Sequence, residues 1–135
     1  MVSTGWPCGQ VALASGPDAP AAARAAVTRW LSGAVTEETL EDIRLVVSEL
    51  VTNSCVHADV VDLHLTVRLT AWMDARHVRV EVRDDGLDGA VLQRTPDGAG
   101  GFGLNLVAAV ADRWGVEHAE GTVVWCELPA TVAVG

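Results

Sequence analysis

The chain has 135 residues, half of them apolar, and a formal net charge of −9 from 9 basic and 18 acidic side chains. This length predicts one domain with a buried core, and the acidic balance argues against direct nucleic-acid binding. Every basic side chain other than histidine is arginine, which excludes a Walker A phosphate loop and a Schiff-base lysine.

The cysteines and the first residues of the chain indicate the cellular compartment that we expect for the protein. The three cysteines are far apart and form no CxxC pair, which argues against a zinc ribbon or a redox motif. Reduced thiols in a cytosol are the simplest interpretation. The first 16 residues lack the basic start of a signal peptide. No run of about 18 apolar residues is present, so we expect no membrane span. The sequence therefore predicts a cytoplasmic protein.

The first third of the chain is predicted to form a strand and a helix. We expect residues 1–8 to be a flexible N-terminus and residues 10–14 to form an edge strand. Asp18 can cap a first helix, and Gly33 ends it in the usual C-terminal glycine role.

A second helix is predicted to run from a Thr36 cap to about His57. Glu37 and Glu38 lie favourably in its first turn, near the positive end of the helix dipole. Its apolar spacing predicts a core-facing stripe, which consists of Leu40, Ile43, Val47, Leu50, Val51 and Ser54.

The second half of the chain is predicted to be mainly strands. Strict alternation at 61–69 and 78–83 indicates an antiparallel pair with one buried face, joined by a connection at 73–76. A loop to residue 101, a helix at 104–113 ended by Gly115, and a last hairpin at 116–128 follow. Because regular βαβ alternation is missing, we expect a two-layer α+β sandwich, with a mixed, mainly antiparallel sheet and helices on one face. The single domain would span residues 9–130, with a tail at 131–135.

Three polar residues of the second helix share one side. Glu49, Asn53 and His57 are spaced i, i+4 and i+8, and their stripe borders the apolar one at the edge of the core. By spacing alone, this is either a functional stripe or an ordinary solvated one.

The end of the second alternating strand is acidic. Asp84, Asp85 and Gly86 follow it directly. Asp-Gly is a common turn dipeptide, so the segment is either a turn or a strand end that presents a carboxylate to a ligand.

A glycine-rich segment at 98–103 precedes the third helix. It matches GxGxxG literally, but it follows a long loop rather than a strand, which excludes a dinucleotide-binding fingerprint. A glycine-rich loop that leads into a helix N-terminus is either an anion site or a flexible linker.

These segments, in this order, resemble the ATP-binding domain shared by DNA gyrase, sensor histidine kinases and mismatch-repair ATPases, known as the Bergerat fold. Residues 49–58 match its N box, E-x-x-x-N-x-x-x-H-A, and Asp84 to Gly86 match its D-x-G box. Residues 101–107 match G-x-G-L-x-L-V, and 121–129 match the closing G-T…L-P strand. The resemblance covers residues 10–129.

Within that superfamily the chain is most similar to small stand-alone anti-sigma-factor serine/threonine kinases. Its size, the run at 48–53 and the segment at 111–116 carry this similarity. Relatives of this kind bind a sigma factor or phosphorylate an antagonist protein of the STAS type, and they suggest a homodimer. The alternatives are a catalytically silent nucleotide-binding switch that sequesters a partner, and a detached domain that phosphorylates a partner histidine.

The resemblance also implies a role for each matching residue, with ATP and Mg²⁺ as ligands. Glu49 would be the general base, and Asn53 would hold Mg²⁺. Asp84 would accept the adenine amino group, with Thr122 supporting it. The remaining implied nucleotide contacts are His57, Gly86, Arg94, Gly101, Gly103 and Leu104.

Two positions depart from the family pattern. Asp88 stands where the family often has the second glycine of D-x-G-x-G, and Phe102 stands where close relatives have arginine. Both changes remove a feature that faces the phosphates, and Arg94 is the one cation of the 87–100 loop. These departures are the reason for the silent-switch alternative.

Overall fold

The computed structural model describes residues 6–14, 16–57, 66–84, 102–118 and 122–133. They form three helices, α1 (Ala19–Leu31), α2 (Glu37–His57) and α3 (Phe102–Val110). Five strands accompany them: β1 (Trp6–Ala14), β2 (Thr66–Met73), β3 (His77–Asp84), β4 (Arg113–His118) and β5 (Thr122–Pro129).

The five strands form one sheet in the order β1-β2-β3-β5-β4. All four pairings between these strands are antiparallel, so the mixed sheet expected from the sequence is antiparallel in the described part. The helices form a second layer against this sheet, so the fold is the predicted α+β sandwich. β1 lies at an edge of the sheet, also as predicted.

The core lies between the sheet and the helical layer, in which α2 packs between α1 and α3. Alternate residues of β3 are buried, and α2 contributes a continuous apolar stripe. Burying apolar area is the main stabilising contribution of this layer. The fully buried large side chains include Leu31, Leu40, Ile43, Leu50, Leu69 and Leu128. None of the helices in these ranges is both long and apolar enough to cross a membrane.

The helix signals in the sequence match the helix ends in the structure. The backbone N–H of Thr39 donates to Thr36 Oγ1 at 3.3 Å, so Thr36 caps α2 as predicted. Gly33 follows α1 with φ +88°, a conformation that favours glycine. Asp18 occupies the N-cap of α1 but makes no side-chain capping hydrogen bond.

Three boundaries differ from expectation. β1 begins at Trp6, so the last residues of the predicted flexible N-terminus belong to the sheet. β2 extends to Met73, while residues 58–65 lie outside the described ranges. α3 ends at Val110, and Gly115 lies within β4 instead of capping the helix. A Cβ atom on Gly115 would approach the Trp125 ring to 2.8 Å, so this glycine serves close packing between β4 and β5.

The segment after β5 is attached to the start of α2. The N–H of Thr36 donates to the Thr131 carbonyl at 2.9 Å, and the N–H of Thr131 donates to Thr39 Oγ1 at 3.1 Å. Val132 forms a β-bridge with Val35. The predicted tail at 131–135 is therefore fixed to the domain up to residue 133. These contacts also show that the start of α2 meets the end of β5.

Candidate nucleotide site

Two buried polar residues face each other where β3 ends and β5 begins. Asp84 is the last residue of β3, Thr122 is the first of β5, and the two are direct partners in the antiparallel register. Each is only 5% exposed. Because two polar side chains are buried opposite each other at one end of the sheet, this strand pair is a candidate ligand site.

α2 carries its polar stripe on a helix that packs against the sheet. The start of α2 lies beside the end of β5, and the helix contacts β2, β3 and β5. Asn53 is 8% exposed, and Glu49, one turn earlier, is half-buried. This favours the functional interpretation of the stripe, since an ordinary solvated stripe would not bury an asparagine.

Two buried hydroxyl oxygens lack a hydrogen-bond partner among the described residues. They are Ser54 Oγ, next to Asn53, and Thr122 Oγ1, opposite Asp84. Leaving such a group unsatisfied costs about 1–3 kcal/mol, so each hydroxyl indicates a place for a polar ligand group or a water. The sequence interpretation placed Ser54 in the core stripe. Its hydroxyl group beside Asn53 was the signal that could have identified it.

α3 begins with part of the glycine motif. Gly103 and Leu104 lie in its first turn, and α3 packs against α2. The first backbone N–H groups of a helix have no partner within the helix and attract anions. Gly103 can therefore act as the sequence predicts. His57 is the last residue of α2, and only its backbone is described.

The remaining predicted contacts cannot be assessed in the same way. Gly86, Arg94 and Gly101 lie outside the described residues, as does Asp88. The cavity of about 470 Å³ that the structure does show lies beside β1, β2 and β3, and none of the predicted site residues lines it. The candidate site is therefore defined by the strand pair, α2 and the start of α3.

Cys8 and Cys126 are not activated as nucleophiles. Burial raises the pKa of Cys126 to about 12 and also raises the pKa of Cys8. Both thiols are thus protonated at neutral pH and are poor nucleophiles. The described residues also contain no cluster of three or more histidine, cysteine or acidic side chains that could hold a metal ion.

Comparison with known proteins agrees with this geometry. The family model described as the histidine kinase-like ATPase domain matches residues 13–128. The match covers most of the chain, so the protein belongs to this family. A search among curated proteins gave no match. The family assignment confirms the resemblance to the Bergerat-type ATPases and implies that the chain binds ATP.

The residues present fit an adenine nucleotide. The Asp84 carboxylate is an acceptor suited to an amino group, and the Thr122 hydroxyl, opposite it in the strand register, has no hydrogen-bond partner among the described residues. The amide oxygen of Asn53 is a hard ligand of the kind that Mg²⁺ prefers, in a site where phosphate oxygens and water supply the rest. One protein ligand is thus compatible with the absence of a three-residue metal cluster from the described ranges.

Proposed function

We propose that the protein is an anti-sigma regulatory serine/threonine kinase. It would sequester a sigma factor, phosphorylate a STAS-type antagonist protein, or both. The observations that support the proposal are that Asn53 is buried on α2, one turn after Glu49, and that Asp84 and Thr122 are buried opposite each other at one end of the sheet. The proposed base and metal ligand would thus lie on one helix, and the proposed adenine acceptor on a strand.

The roles follow from the chemistry of phosphoryl transfer. Bound Mg-ATP supplies the γ-phosphoryl group and the charge neutralisation that such transfer needs. Asp84 selects the base, Asn53 holds the metal ion, and the start of α3 faces the phosphates. Glu49 accepts the proton from the partner's serine or threonine hydroxyl as its oxygen bonds to phosphorus and ADP leaves. Glu49 therefore acts on the incoming hydroxyl and not on the resting nucleotide.

The partners and compartment belong to the same proposal. A cytoplasmic location would suit both a sigma factor and a STAS-type protein. The net charge of −9 supports regulation through protein contacts instead of direct DNA binding. A homodimer is proposed by similarity to relatives of this kind.

A second candidate is a silent switch that binds nucleotide and sequesters its partner without phosphorylating it. Phe102 favours it, because the first residue of α3 lacks the cation that close relatives place there. Arg94 is the one basic residue of the 87–100 loop that could replace that cation.

The decisive experiment measures single-turnover transfer from labelled ATP to a STAS-type partner, which an ATP-dependent pull-down can first identify. Glu49→Gln should leave ATP affinity within a few-fold and reduce transfer by ~10²–10⁴, the usual range for general acid–base catalysis. Asn53→Ala should weaken Mg-nucleotide binding as well as transfer, because it removes a metal ligand.

The outcome separates the candidates. Acid-stable phosphoserine or phosphothreonine on the partner supports the kinase, while acid-labile phosphate indicates transfer to histidine. If wild type binds ATP and transfers nothing, the silent switch replaces the kinase. Transfer by Glu49→Gln at the wild-type rate would show that Glu49 is not the base.

A further inference from the structure

The buried face of α2 changes from apolar to polar near the end of the helix. Between Leu40 and Val51 the buried residues of α2 are all apolar, whereas Asn53 is buried and its neighbour Ser54 has a buried Oγ. Ser54 follows Leu50 by four residues, so the two lie on the same side of the helix. The apolar stripe that packs against the sheet therefore ends in a hydroxyl group.

Two strands of the sheet change in the same way. The buried residues of β3 are valines until Asp84 ends the strand, and those of β5 are apolar except Thr122 at its start. Each of these polar ends is the one farther from Thr131, to which the start of α2 is hydrogen-bonded. Ser54 likewise lies near the end of α2 that is remote from this attachment. All three elements thus exchange apolar for polar buried side chains at their remote ends.

The Ser54 hydroxyl is in an unusual state for a serine inside a helix. Such side chains commonly point to solvent or bond to the carbonyl group one turn earlier. Ser54 Oγ is buried and has no hydrogen-bond partner among the described residues. Because alanine forms helices better and brings no unsatisfied group, it would suit the ligand-free protein better at this position. Local departures of this kind are expected at functional sites.

We propose that these polar ends line one pocket, in which Ser54 Oγ donates a hydrogen bond to the nucleoside part of a bound adenine nucleotide; this role rests on the nucleotide site of the proposed function. Ser54 lies about 100° around the helix from Asn53, on the stripe that faces the sheet. Asn53 and Glu49, which are proposed to serve the metal ion and the attacking hydroxyl, lie on another side. The Asp84 carboxylate only accepts hydrogen bonds, whereas a hydroxyl group also donates them. Ser54 would therefore supply a donor that Asp84 cannot.

Isothermal titration calorimetry with the full chain separates the nucleoside from the phosphates. ADP with Mg²⁺ is titrated directly, and adenosine, which carries no phosphate, is measured by competition with ADP. Ser54→Ala should weaken both ligands by the same factor of about two to ten, the usual range for one hydrogen bond. Asn53→Ala should instead weaken Mg-ADP more than adenosine, because it removes the proposed metal ligand.

A second serine of α2 provides a matched control. Ser48 is half-buried, and its Oγ accepts a hydrogen bond from Arg24 Nη1 of α1 at 2.8 Å. Ser48→Ala therefore removes a satisfied hydroxyl group, so it should lower the stability of the ligand-free protein and leave both affinities within about twofold. Ser54→Ala removes an unsatisfied one, so the ligand-free variant should be equally or more stable than wild type in urea denaturation.

The results distinguish this role from the proposed function as a whole. If Ser54→Ala binds both ligands like wild type, the hydroxyl does not contact the nucleotide, although the nucleotide site itself stands. A loss confined to ADP would place Ser54 at the phosphates, and a less stable ligand-free Ser54→Ala would make the hydroxyl structural; either result overturns the proposal. Wild type that binds neither ADP nor adenosine would overturn the nucleotide site together with the role of Ser54.

Discussion

At the scale of single residues, Asp84 defines the candidate site most sharply. It is buried to 5% exposure at a strand end, opposite a residue of equal burial. A carboxylate accepts hydrogen bonds only, whereas the amide of asparagine also donates them. In the role proposed for it, the side chain would therefore distinguish the amino group of adenine from the carbonyl group of guanine.

Asp84→Asn should consequently weaken ATP binding by about tenfold or more, since a hydrogen bond to a charged group contributes about 1.5–3 kcal/mol. It should also reduce the preference for ATP over GTP. Isothermal titration calorimetry with both nucleotides measures each effect. Equal affinity of wild type for ATP and GTP would contradict the role of Asp84.

At the scale of secondary-structure elements, two buried threonines differ in what their hydroxyl groups do. Thr39, at the start of α2, accepts the N–H of Thr131 and contacts Thr36 Oγ1 at 3.1 Å, joining the helix to the segment after β5. Thr122, at the start of β5, has no hydrogen-bond partner for Oγ1 in the described ranges. Their exposures are 6% and 5%.

Replacing each threonine by valine should therefore have opposite effects. Thr39→Val removes the acceptor of the Thr131 N–H and should lower the free energy of unfolding by about 0.5–1.5 kcal/mol. Thr122→Val removes an unsatisfied hydroxyl, so it should leave the ligand-free protein equally or more stable while weakening nucleotide binding. Urea denaturation with and without ADP measures both. A loss of stability in ligand-free Thr122→Val as large as in Thr39→Val would show that Thr122 is only structural.

The helix ends and strands that the sequence could predict are those determined by residues close together in the chain. Thr36 and Gly33 mark helix ends through capping and through φ +88°, and β3 shows its period of two directly. Gly115 was assigned to the wrong element, because its packing against Trp125 involves another strand. The cavity beside β1, β2 and β3 depends on register across the sheet, which no local pattern contains.

In the candidate site too, some features follow from local sequence motifs and others depend on contacts between distant elements. Motif order identified Asp84, Asn53 and Thr122, and the strand register then placed two of them opposite each other. The sequence assigned Ser54 to the core stripe, because a small polar residue fits an apolar stripe without disturbing its period. Its unsatisfied hydroxyl is visible only after the neighbouring elements are packed.

At the scale of the whole molecule, the composition restricts the side chains that titrate between about pH 9 and 11 to the cysteines, because the chain has no tyrosine and no lysine. Burial raises the pKa of Cys126 to about 12. The folded state then holds its proton in a range where the unfolded state releases it, so stability falls as pH rises through that range.

Under reducing conditions, the free energy of unfolding should begin to decrease as the pH approaches the unfolded thiol pKa of about 8.5, and above it each thiol with a raised pKa should contribute a decrease of up to about 1.4 kcal/mol per pH unit. Cys126→Ala should be somewhat less stable at neutral pH, because it leaves a small cavity, but it should show a flatter alkaline slope. Denaturant titrations from pH 8 to 11 test this. An unchanged slope in Cys126→Ala would assign the effect to other groups.

The pairing of β1 with β2 has a consequence for how the chain is made. Residues 15–65, including both long helices, separate these neighbouring strands. A ribosome therefore releases β1 well before its partner exists, and closing such a long loop costs entropy that slows the pairing. The β2–β3 hairpin and the α1–α2 pair involve nearer neighbours and should form earlier. Pulse-labelling hydrogen exchange during refolding should accordingly find β1 protected last, with an uncharged strand exposed to capture by chaperones until then.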